Sequence, residues 1–330
     1  MKICIVGAGA VGGLIGARLA HAGVDVSAVA RNATAAALRE HGWRLQIGGQ
    51  TITAPVRAVR QASELEPQDY VVIAVKGPAM AGVAPIVRTL VHPETTIVTA
   101  MNGVPWWFFH GLPGAFEGLP LATIDPDGVI AAAVPVERVI GAVVHLTCST
   151  LEPGVVRHGV GNRLIVGEPK GGSSARLLAF AELLREAAFE VEVSPRIQQD
   201  IWYKLWGNMT MNPISAFTGA LADRILDDPL VNQFCLDVMA EAAAIGAAIG
   251  CPVAQSGADR MAVTRKLGAF KTSMLQDVEA GKAVEIDALL SAPREIGARA
   301  GVPTLYLDTL LGLARLHARV HGLYPESATR

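Results

Sequence analysis

The feature that most constrains the fold opens the chain: Lys2–Val6, a short apolar run, leads straight into Gly7, Gly9 and Gly12 spaced as G-x-G-x-x-G. Leu14, Ala17, Leu19 and Ala20 then follow a helical period as far as Gly23, and Asp25–Ala30 forms a second apolar run. Strand, glycine turn, helix and strand in about thirty residues make a βαβ unit, which commits this half of the chain to a parallel sheet. In such a turn the glycines allow a tight bend, a close approach of backbone to a pyrophosphate, and close packing of helix on strand. Gly7, Ala8, Gly9, Ala10, Val11 and Gly12 are therefore expected to cradle a dinucleotide at a helix N-terminus. The second strand ends at Arg31, where an acidic residue would favour a free ribose 2′-hydroxyl. A guanidinium suits a 2′-phosphate, so the expected cofactor is NADPH/NADP+.

Further along, apolar runs at 70–75, 96–99, 139–146, 154–156, 163–166 and 190–193 alternate with helical segments such as 173–188. Past Arg196 the strand signals give way to long helical periods, as in 230–249 and 303–321. The expected fold class is α/β: an N-terminal Rossmann-type dinucleotide-binding domain over 1–195, then an all-helical substrate and catalytic domain over 196–330. The stretch 111–127, with three prolines, is expected to be a long connection.

The second informative stretch is Asp200–Pro213. If it is helical up to Pro213, the four-residue spacing of Lys204, Asn208 and Asn212 puts one ammonium and two amides on one face, among Trp202, Leu205, Trp206, Met209 and Met211. A Lys in such a low-dielectric wall has its pKa lowered toward the working pH and is a candidate proton donor. Lys76 and Asn102 each follow a strand of the first half, where open parallel sheets bind ligands.

A chain of 330 residues with 51% hydrophobic content can bury two cores, and a net charge of −2 offers no footprint for nucleic acid or anionic membrane. No span is long and apolar enough on this reading to cross a membrane, and Met1-Lys2 leads directly into the first strand. Cys4, Cys148, Cys235 and Cys251 lack metal-ligand spacing, so reduced thiols, a cytoplasmic setting and no metal are expected.

These motifs together resemble the ketopantoate reductase family. Gly7–Gly12, Arg31, Lys76, Met101-Asn102-Gly103, the Lys204/Asn208/Asn212-Pro213 pattern, Ser273–Asp277 and Val284–Asp287 occur in the family's order over nearly the whole chain. The resemblance implies NADPH-dependent reduction of a small 2-oxo acid, 2-dehydropantoate, in a cleft between the domains, with Lys204 protonating the carbonyl oxygen. It further implies that Asn208, Asn212 and Ser273 contact substrate, that Asn102 contacts substrate and cofactor, and that Glu285 lies near the nicotinamide ribose and the substrate hydroxyl. Lys76 and Thr147 would complete the cofactor site. Asp277 and Asp287 are expected to be helix-end or solvated residues. A related reductase of another 2-oxo acid or imine, and a non-catalytic NADPH-sensing module, are the alternative readings; a homodimer is compatible with the sequence and not decided by it. Two departures stand out. Ala222 occupies a position where family members often carry a substrate-binding Asn, which predicts relaxed selectivity. The run Trp106–Phe109 is expected to be a buried helix start or a subunit contact rather than a pocket wall.

Overall fold

The computed structural model describes residues 1–326, which form two compact units, 1–101 with 127–200, and 102–126 with 201–326.

The first unit contains β1 (Lys2–Val6), α1 (Ala10–His21), β2 (Asp25–Val29), α2 (Asn32–His41), β3 (Trp43–Ile47), β4 (Gln50–Ala54), β5 (Arg57–Val59), β6 (Tyr70–Ile73), α3 (Met80–Leu90), β7 (Thr96–Thr99), α4 (Val129–Ala133), β8 (Val139–His145), β9 (Cys148–Glu152), β10 (Val155–His158), β11 (Arg163–Gly167), α5 (Ala175–Glu186) and β12 (Glu190–Val193). Eight strands form one sheet in the order β12-β11-β8-β7-β6-β1-β2-β5. The run from β8 to β5 is parallel throughout, and β11 enters antiparallel to β8. All four residues of β6 and of β7 are buried, as a parallel sheet covered on both faces requires.

A second sheet, β4-β3-β10-β9, packs against α1. Its hairpin turns on Gly48 and Gly49, both at positive φ (55° and 78°), the geometry of a two-residue turn whose twist matches the strands. Trp43 of β3 is buried against Gly16 of α1, where a Cβ would fall 2.6 Å from the indole. Ser174 caps α5 by accepting the N–H of Leu177 at 3.2 Å.

The second unit carries the helical half: most of α6 (Ile197–Thr218), then α7 (Ala222–Asp227), α8 (Pro229–Ala248), α9 (Gly257–Arg265), α10 (Ser273–Glu279), a π-helical turn (Asp287–Ser291), α11 (Ala292–Ala300) and α12 (Leu305–Val320). No strand follows β12 among the described residues. Trp202 and Trp206 lock α6 to α8: their indole N–H groups donate to Ala242 O at 3.1 Å and Met239 O at 2.8 Å. By length and a mean hydropathy of 1.2, α8 meets the criteria for a membrane span, contrary to the expectation that none would. It is built into the unit nonetheless, burying Cys235, Val238, Met239, Ala242 and Ile245, and its Glu241 accepts the N–H groups of Tyr306 and Leu307 at the start of α12.

Two further expectations are corrected. Helix α6 does not stop at Pro213 but continues to Thr218. Proline removes its own N–H and crowds the carbonyl one turn back, but the flanking apolar residues Met211, Ile214 and Ala216 are buried, so packing carries the helix across the lost bond. Trp106–Phe109 is buried as expected, but in successive turns rather than a helix start. Phe108 lies 5.9 Å from Trp202 and Phe109 stacks on Phe116 at 5.4 Å between ring centroids. The aromatic run thus fastens the 102–126 excursion to α6.

Candidate active site

In the first unit, the predicted cofactor residues sit at the carboxyl ends of parallel strands. The glycine turn follows β1, Arg31 follows β2, Lys76 comes three residues after β6, and Thr147 comes two after β8. The turn is sterically specified. Gly7 has φ +100°, and a Cβ on it would fall 2.9 Å from the carbonyl of Ala74; a Cβ on Gly12 would fall 2.1 Å from Gly7 O. Gly9, by contrast, has open space where its Cβ would be. It is the N-cap of α1, with no side-chain cap and no acidic residue in the first turn, so the first-turn N–H groups are left for an anion. A dinucleotide pyrophosphate fits this cradle. Arg31 is exposed at the N-cap of α2, within reach of a ligand phosphate from solvent. Thr147 is engaged on every polar group: its N–H donates to Val160 O at 2.7 Å, its carbonyl accepts from Gly159 at 2.8 Å, and its hydroxyl accepts from Val160 at 2.8 Å.

In the second unit, α6 carries Lys204, Asn208 and Asn212 as the spacing predicts. Lys204 and Asn208 are partly exposed and Asn212 is 6% exposed, while Trp202, Leu205, Trp206 and Met209 on the other side are buried. Lys204 Nζ donates to Asn102 Oδ1 at 2.7 Å, a charge-assisted contact between residues 102 apart in sequence. Asn212 Nδ2 lies 3.5 Å from Ser273 Oγ, a loose contact that brings Ser273, the first residue of α10, to the same row. Glu285 is 7% exposed, just ahead of the π-helical turn.

That turn explains how Asn102 reaches Lys204. Within it, the Ala292 N–H donates to Asp287 O, five residues back, so Ala288 O loses the partner an α-helix would supply. The next residue is Pro293, which has no N–H. Ala288 O accepts instead from Val104 N at 2.9 Å. Gly103 makes this approach feasible: it has φ +75°, and a Cβ there would fall 2.5 Å from Ala288 O. The far end of the excursion is tied to α11, where Glu295 accepts from the N–H groups of Ala122 and Thr123 at 3.0 and 2.8 Å. Ala288 and Pro293 were not singled out from the sequence. The Asn102-Gly103 turn was visible, but its partner carbonyl lies 185 positions away, and only the pairing of a π-turn with a proline marks that carbonyl as free.

Other expectations change. Ala222 is fully buried, and its N–H donates to Phe270 O at 3.1 Å. A side chain there meets protein rather than an open surface, so the argument for relaxed selectivity loses its structural support. Asp277, in the last turn of α10, and Asp287, the first residue of the π-helical turn, are helix-end residues as expected, but they are not free in solvent: Asp277 is 8% exposed and Asp287 accepts the Tyr324 hydroxyl at 2.6 Å.

The family model "Ketopantoate reductase PanE/ApbA" matches residues 3–109, and "Ketopantoate reductase PanE/ApbA C terminal" matches 196–318. A 2-dehydropantoate 2-reductase from Mesorhizobium japonicum is 42% identical over 325 residues, covering 98% of this chain and 100% of that one. The chain belongs to the ketopantoate reductase family. A candidate ketopantoate reductase of known structure from Ralstonia solanacearum MolK2 is 59% identical with a TM-score of 0.95, over 98% of this chain and 99% of that one. The 2-dehydropantoate 2-reductase structure from Methylococcus capsulatus is 28% identical with a TM-score of 0.82, over 97% and 98%. Membership makes this chain an oxidoreductase of a nicotinamide cofactor and a small-molecule substrate.

Proposed function

We propose that the protein reduces 2-dehydropantoate to pantoate with NADPH, and that Lys204 is the proton donor. The observation that carries this reading is the 2.7 Å contact from Lys204 Nζ to Asn102 Oδ1 on a polar row with an apolar back. The bond to Asn102 holds the ammonium head group in place, so that a substrate oxygen meets a donor that is already positioned. The second unit's residues hold the oxo acid: Asn208, Asn212 and Ser273 orient it through neutral hydrogen bonds, and Lys204 donates to the keto oxygen as charge develops there. Glu285 holds the new hydroxyl or the head group of Lys204, which regains its proton from solvent. In the first unit the Gly7–Gly12 turn takes the cofactor's pyrophosphate, Arg31 its 2′-phosphate, and Lys76 and Thr147 add contacts; of the second unit's residues, Asn102 and Glu285 are assigned to the cofactor as well. When bound, the reduced nicotinamide supplies the hydride to the keto carbon.

The direct experiment follows NADPH consumption with 2-dehydropantoate beside other 2-oxo acids, and repeats it with NADH. Turnover confined to another acid would leave the reaction type and reject the substrate; faster turnover with NADH would reject the role of Arg31. We also infer a cytoplasmic homodimer. Helix α12 exposes Leu305 (70%), Leu313 (50%), Leu316 (62%) and Val320 (73%), while Leu307, Leu310, Leu311 and Ala314 fill the core on its other side. Apolar side chains left bare along one face of a helix are of the kind that marks an interaction surface. Light scattering that gives one 34.6 kDa chain per particle would reject the dimer.

A further inference from the structure

Gly207 sits inside α6, three residues after Lys204 and one before Asn208. A glycine in a helix interior is destabilising, so a close neighbour is the natural reason for one. That neighbour is Arg260 of α9. A Cβ on Gly207 would fall 2.8 Å from its Nη2, 3.0 Å from Nε and 3.1 Å from Cζ, so the guanidinium lies against the bare helix backbone. It also sits over the ring of Tyr203, one turn earlier, with Cζ 5.6 Å from the centroid. The Tyr203 hydroxyl donates to Gln255 Oε1 at 2.7 Å, which fixes the ring and with it the cation's seat.

Arg260 Nε is buried without a hydrogen-bond partner, and no ion pair joins Arg260 to a carboxylate among the described residues. The adjacent Asp259 turns instead to the Ser256 hydroxyl at 2.6 Å. A buried nitrogen left without a partner is costly, and the outer nitrogens of the planar fork match a carboxylate in two parallel hydrogen bonds.

We propose that Arg260 binds the carboxylate of the oxo-acid substrate, beside Lys204 and Asn208. The proposal deepens the functional reading above and rests on it for the substrate class. Positions three and four apart on a helix are about 5–6 Å apart at Cβ, so Gly207 and Tyr203, on which the guanidinium rests, directly flank the row that begins at Lys204. A 2-oxo acid carries its carboxylate directly on the keto carbon, so a guanidinium seated on Gly207 and Tyr203 takes the acid group while Lys204 serves the keto oxygen. Asn208, Asn212 and Ser273 are neutral and supply no charge for the acid group.

The test uses the full chain with NADPH and two variants, Arg260→Met and Arg260→Lys, assayed on ketopantoate and on its uncharged lactone. Losing a charge-assisted pair should raise KM for the acid roughly 10- to 150-fold. KM for NADPH should hold, the lactone's kcat/KM should be unchanged, and Arg260→Lys should recover part of the loss. An acid KM within about twofold of wild type in Arg260→Met, or equal losses for acid and lactone, would overturn the proposal. A second readout separates this outcome from failure of the functional reading: the rise in Tm that 2-oxoisovalerate produces with NADP+ present. If wild type reduces no ketopantoate but this rise disappears in Arg260→Met, the substrate assignment falls and the carboxylate site stands; a rise that persists in the variant removes the site.

Discussion

Gly103→Ala tests whether the π-turn positions the proton donor. The new Cβ would lie 2.5 Å from Ala288 O and 2.7 Å from Ala288 Cβ, at a backbone φ of +75°. Left-handed backbone costs a residue with Cβ about 1–2 kcal/mol, and overpacking a fixed neighbour adds about 1–3 kcal/mol. The Ala288 carbonyl has little freedom to retreat, because it sits between the Ala292 N–H bond to Asp287 and the proline ring at 293. The cheaper relaxation moves the 102–104 turn, breaking the 2.9 Å bond from Val104 and drawing Asn102 off Lys204. A hydrogen bond to a charged group is worth about 1.5–3 kcal/mol, so kcat should fall roughly 10- to 150-fold while the KM for NADPH holds. Steady-state NADPH oxidation and a thermal melt read the two halves of this effect. Asn102→Ala should reproduce the kcat loss with a much smaller drop in Tm, since it removes the amide and leaves the backbone junction intact. Wild-type kcat and Tm in Gly103→Ala would refute the reasoning outright.

Other consequences are as direct. Lys204→Ala should lower kcat about 10²- to 10⁴-fold, the range for a positioned proton donor, with NADPH binding measured by fluorescence little altered; near-normal turnover would make Lys204 structural. Arg31→Ala should weaken NADPH roughly 10- to 150-fold and leave NADH nearly unchanged, and equal losses would dismiss the 2′-phosphate contact. Burial pushes the thiols of Cys4 and Cys235 up to about 11 and about 12, so brief alkylation of native protein near pH 8 should label Cys148 well before either of them, as peptide mass spectrometry would show. Burial, and then its bond to Asp287, likewise raise Tyr324 to about 12. In all three groups the folded state holds the proton more tightly than the unfolded state. Their contribution to stability is therefore complete below about pH 9 and should be lost as pH rises through about 9–12, a fall in Tm that Tyr324→Phe should lessen.

Much of this architecture was legible because it depends on local signals. A glycine turn between two apolar strands specifies the βαβ unit wherever it occurs, and long 3.6-residue periods specify α8 and α12 at nearly the observed bounds. The hairpin of β3 and β4 was equally readable, with alternating Trp43, Leu45 and Ile47 leading into Gly48-Gly49, but that signal was not used. The site divides along the same line. Lys204, Asn208 and Asn212 share a face by helical arithmetic alone, whereas Asn102 joins them through a turn that is apolar-anchored by Phe108 on Trp202 and hydrogen-bonded to Ala288. Nothing local at Asn102 encodes either anchor. Arg260 was silent for a different reason: its neighbours Ser256 to Arg265 form an ordinary polar helix, and the cation becomes conspicuous only when the bare Gly207 is found beneath it. Glycines thus carry two kinds of information in this chain. In Gly7 and Gly12 the spacing is a motif and can be read in isolation; in Gly103 and Gly207 the missing side chain makes room for a distant residue, and its meaning exists only once that residue is in place.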